Sequence, residues 1–68
     1  MNLELRNKVL QLLSESTEKL LEAGEICKAD GLLVYHLECL TKVTQIGCIA
    51  ANFKEAVERQ HNPIWRKT

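Results

Sequence analysis

Residues 32–59, LLVYHLECLTKVTQIGCIAANFKEAVER, decide the fold. Leu33, Leu37, Leu40, Val43, Gly47, Ala50 and Val57 share one register at helical spacing, with Tyr35, Cys39, Ile46 and Phe53 beside them. Recurrence at three and four residues is the period of an amphipathic helix, not of a strand. Glu38 with Lys42 and Glu55 with Arg59 stand four apart with the acid first. Such pairs support a helix by about 0.2–0.5 kcal/mol each and have no meaning at strand spacing. Asn62-Pro63 predicts the end of the segment, because a proline ring biases the preceding residue away from helical geometry. Residues 63–68 are then a short tail.

Towards the N-terminus, residues 3–23 carry a second apolar stripe through Leu5, Val9, Leu10, Leu12, Leu13, Leu20 and Leu21. Glu4 with Lys8 and Glu15 with Lys19 repeat the acid-to-base spacing, and Asn2 is a natural N-cap. The weak point is Ser14, Ser16 and Thr17, whose hydroxyls compete for backbone groups. Gly24 and Gly31 are alternative ends for this first helix, since either can adopt the left-handed conformation. A turn at residues 29–31 makes the two helices nearly equal and sets Leu32 against Cys27. Ile26, outside the apolar arc, argues instead for Gly24. The expected architecture is all-α: an antiparallel hairpin over residues 1–62 with its turn near 29–31.

A chain of 68 residues with 46% hydrophobic and 26% charged residues has room for one core. At this size a fold buries only about 60% of the surface of its unfolded chain, so association or a staple is expected. Nine basic residues balance nine acidic ones, and the formal net charge of +0 directs the chain to neither nucleic acid nor an anionic membrane. No apolar run approaches the roughly 18 residues of a membrane span. Cys27, Cys39 and Cys48 are an odd number with no signal-like segment before them, which points to a reducing, intracellular setting, cytoplasmic or nuclear.

Apolar and small side chains cover roughly 200° of the second helix, more than one neighbouring helix can bury. Gly47 and Ala51 permit close backbone approach, so the side they share with Leu33 and Leu40 is assigned to the first helix, with Gly47 opposite Ser14. The remaining flank, Leu32, Tyr35, Cys39, Ile46, Ala50, Phe53 and Val57, is the expected partner-binding face. The first helix has a similar surplus, with Leu5, Val9 and Leu12 on one edge of its arc and Leu3, Leu10 and Leu21 on the other. Two helices that each want two neighbours predict a four-helix bundle, completed by a second copy or by helices of another protein. The competing arrangement folds Ile64-Trp65, or a break at Gly47, back as a third layer.

Candidate chemistry is sparse. His36 and Cys39 share a helical face, but Cys48 lies on the opposite side and no C-x2-C pair is present, so no metal site is expected. Nine helical residues rise about 13 Å, too far for a disulfide between Cys39 and Cys48. His36 and His61 are the only bases near neutral pKa, with no nucleophile elbow or phosphate loop to serve, so neither an enzyme nor a cofactor is expected. A small dimeric nucleic-acid-binding protein is the alternative, but the basic residues are dispersed, and only Arg66-Lys67 cluster, beside Trp65. The function expected from the sequence is a protein-interaction or oligomerisation module.

Overall fold

A computed structural model describes residues 1–61 as two helices, α1 (Leu3–Ala29) and α2 (Leu33–His61), folded into an antiparallel hairpin. The expected stop at Asn62-Pro63, the tail, the Ile64-Trp65 layer and the Arg66-Lys67 cluster lie outside the described residues.

Local chemistry accounts for each boundary. Asn2 sits in extended geometry and its Oδ1 accepts the Leu5 N–H at 2.8 Å, satisfying an amide that the first turn leaves unpaired. The serine and threonine cluster does not interrupt α1. Ser16 Oγ donates to the Leu12 carbonyl at 2.9 Å and Thr17 Oγ1 to that of Leu13 at 3.1 Å, so both hydroxyls are satisfied within the helix. At the far end Gly31 takes φ 81°. The Leu32 N–H donates to the Cys27 carbonyl at 2.8 Å and the Gly31 N–H to that of Lys28 at 3.1 Å, the paired bonds of a Schellman ending. α1 therefore runs through Gly24 and turns at Gly31. Ile26 remains outside the hairpin contact at 65% exposure.

The seam between the helices follows one strict pattern. The less exposed residues of α2 are His36, Cys39, Val43, Ile46, Ala50, Phe53 and Val57, spaced alternately by three and four. Those of α1 from Leu10 onward, Leu13, Thr17, Leu20, Gly24 and Cys27, keep the same alternation. This is the heptad rhythm of a two-stranded coiled coil. Gly24 sets the register: a Cβ built there would lie 3.2 Å from Cys39 Cβ and 3.4 Å from His36 Nδ1. The open end is tied by the Met1 ammonium, which donates to Gln60 Oε1 at 3.0 Å.

Two sequence expectations are corrected by this seam. The side of α2 that meets α1 is the one carrying Cys39, Ile46, Ala50, Phe53 and Val57, not the one carrying Leu33, Leu40 and Gly47. The physical reason is length: after His36, the stripe from Cys39 to Val57 stays apolar or small to the open end of the hairpin, whereas the leucine side gives way to Lys54 and Glu58. The close approach of backbones likewise falls at Gly24. Gly47 does come level with Ser14, and the two line one groove, but a Cβ on Gly47 would meet nothing within 4 Å. Of the four expected ion pairs, only Glu55–Arg59 closes among the described residues, at 2.6 Å. Glu15 instead accepts from the Gln11 amide at 3.1 Å.

The result is a slab one helix thick, 53 × 25 × 8 Å. Its radius of gyration is 16.1 Å, against about 11 Å for a compact domain of this length. Val57, at 5% exposure, is the one buried hydrophobic residue among those described.

Candidate interaction surface

A heptad seam leaves two flanks on each helix, and in an antiparallel pair like flanks of the two helices come together on one broad face. On α2 the positions beside the seam on one side are Leu33, Leu37, Leu40, Thr44, Gly47 and Ala51, and on the other Tyr35, Lys42, Ile49 and Ala56. The groove lined by Leu10, Leu13, Ser14, Thr17, Ile46, Gly47, Ala50 and Lys54 fixes which side of α1 belongs to the first flank: the one carrying Ser14 and Leu21. Its volume is about 250 Å³. The opposite face gathers Leu5, Leu12 and Ile26 of α1 with Tyr35 and Ile49 of α2.

Both faces expose large hydrophobic side chains. Leu33 is 58% exposed, Leu37 60% and Leu40 38% on one face, and Tyr35 is 58% and Ile49 54% on the other. Of the seven residues expected to bind a partner, Leu32 and Tyr35 stand in the open. Cys39, Ile46, Ala50 and Phe53 are half-buried and Val57 is buried, all against the chain's own α1. Sequence reasoning therefore missed Leu33, Leu37 and Leu40 as surface. The signal that finds them is the rival three-and-four stripe from Leu33 to Ala51, which is apolar for only part of the helix.

Polar chemistry concentrates near the turn. His36 Nδ1 lies 3.0 Å from the Gly24 carbonyl oxygen, so that nitrogen carries the hydrogen and donates it, which gives the half-buried ring a structural bond across the seam. Cys27 and Cys39 are half-buried free thiols beside it, and Cys48 is an exposed one on the outer surface. No group of three or more His, Cys, Asp or Glu among the described residues is placed to hold a metal ion. No helix among them is long and apolar enough to cross a membrane.

No family model, curated protein or solved structure matches the chain.

Proposed function

We propose that the chain is a non-enzymatic protein-interaction or oligomerisation module, which completes a helical bundle by burying the open faces of its hairpin against another protein chain. One observation carries this reading: among the described residues a single hydrophobic side chain, Val57, is buried, while leucines flank the seam in the open. Apolar area is worth roughly 25 cal/mol per Å² when it leaves water, and a slab one helix thick collects little of that by itself. Bundle formation collects the rest. Three free thiols support placing this assembly in a reducing, intracellular compartment.

The test is sedimentation equilibrium under reducing conditions over a wide concentration range, with circular dichroism on the same samples. Association, or a weakly folded monomer that gains helix only with a partner, agrees with the reading. A fully helical monomer that melts cooperatively at every concentration would refute it.

A further inference from the structure

We infer that the partner is a second copy of this chain, docked antiparallel through the flank of α2 that carries Leu33, Leu37, Leu40, Thr44, Gly47 and Ala51. This rests on the interaction reading above and names its partner. The six positions form a second heptad stripe, spaced by four and three, parallel to the seam and uncovered by α1.

The stripe is complementary to itself. A two-fold axis makes the same patch meet its own reverse, so two helices approach most closely where large side chains of one copy fall on small ones of the other. Read in opposite directions, this stripe pairs large with small at every step: Leu33 meets Ala51 of the second copy, Leu37 meets Gly47, and Leu40 meets Thr44. Lys54, one turn further on, comes level with Asp30 in the turn of the second copy, an opposite charge.

Gly47 has no use within the hairpin. A glycine in a helix interior costs about 1 kcal/mol relative to alanine, and here a Cβ would meet nothing within 4 Å. A leucine from a second copy gives the missing side chain a purpose.

The experiment compares three full-length chains by sedimentation equilibrium and circular dichroism in reducing buffer: the parent, Gly47→Leu, and Gly47→Leu combined with Leu37→Ala. The parent is expected to be a helical dimer. Gly47→Leu should stay helical at high concentration, since a Cβ at that position meets nothing within 4 Å and leucine is a better helix former than glycine, while its dimer dissociation constant rises at least tenfold. Adding Leu37→Ala restores a small residue opposite the new leucine and should recover most of that loss. Parent dimers indifferent to Gly47→Leu, or weakened without recovery in the double variant, overturn this contact and leave the interaction reading standing. A weakly folded monomeric parent overturns self-association and points to a different protein. A stable helical monomer overturns both.

Discussion

Gly24 is the residue on which the hairpin turns from a sequence pattern into a register. Its missing side chain lets α2 approach until Cys39 Cβ would stand 3.2 Å from an added methyl. That neighbour is fixed to its own backbone and has no rotamer to escape into. Gly24→Ala gains about 1 kcal/mol of helix propensity but must push the helices apart and stretch the His36–Gly24 hydrogen bond, and such overpacking costs about 1–3 kcal/mol. The net expectation is destabilisation of about 1 kcal/mol in urea unfolding. A stabilised Gly24→Ala would show that the seam is looser than its geometry. Gly31 works through the backbone instead, at φ 81° with nothing near its α-carbon. Gly31→Ala should cost about 1–2 kcal/mol from left-handed strain, and Gly31→Asn distinctly less, because asparagine tolerates that region. Equal losses for the two substitutions would mean that the turn can be remade without a positive φ.

At the scale of elements, the start of α1, the turn between the helices and the hairpin topology were legible, because capping and turn chemistry is local. Asn2, Gly31 and the Cys27–Leu32 bond need only neighbours in sequence. The charge pairs were less legible, since exposed side chains choose among several partners; Glu55 and Arg59 remain 57% and 59% exposed even while paired. Glu55→Gln is accordingly expected to change hairpin stability by less than about 0.5 kcal/mol in the same unfolding measurement, and a larger loss would assign that pair a role beyond its helix. The flank of α2 that meets α1 was not legible from a wheel of that helix. Two heptad stripes lie side by side there, and a helical average blurs both into one wide apolar arc. What separates them is continuity, because the stripe through Phe53 and Val57 outlasts the one through Leu33 and Leu40. The other discriminator sits on the opposite helix, where Gly24 fits only against Cys39 and His36.

For the whole molecule the governing fact is shape. A two-helix slab with a radius of gyration of 16.1 Å shields little of its seam from both sides, and most seam side chains stay half-exposed. A folded state that is completed only by association has a stability set by mass action, so its melting temperature must move with chain concentration. For a dimer, each tenfold change in concentration shifts the unfolding balance by about 1.4 kcal/mol. Unfolding entropy is about 2.1 cal/mol/K per residue, which for two chains of 68 residues predicts a shift of about 5 °C per decade. Thermal melts followed by circular dichroism across three decades of concentration read this directly. A shift of that size makes folding depend on a core shared between chains. A melting point that stays fixed makes the hairpin its own folding unit, and the exposed leucines then have to be explained as surface rather than as half of an interface.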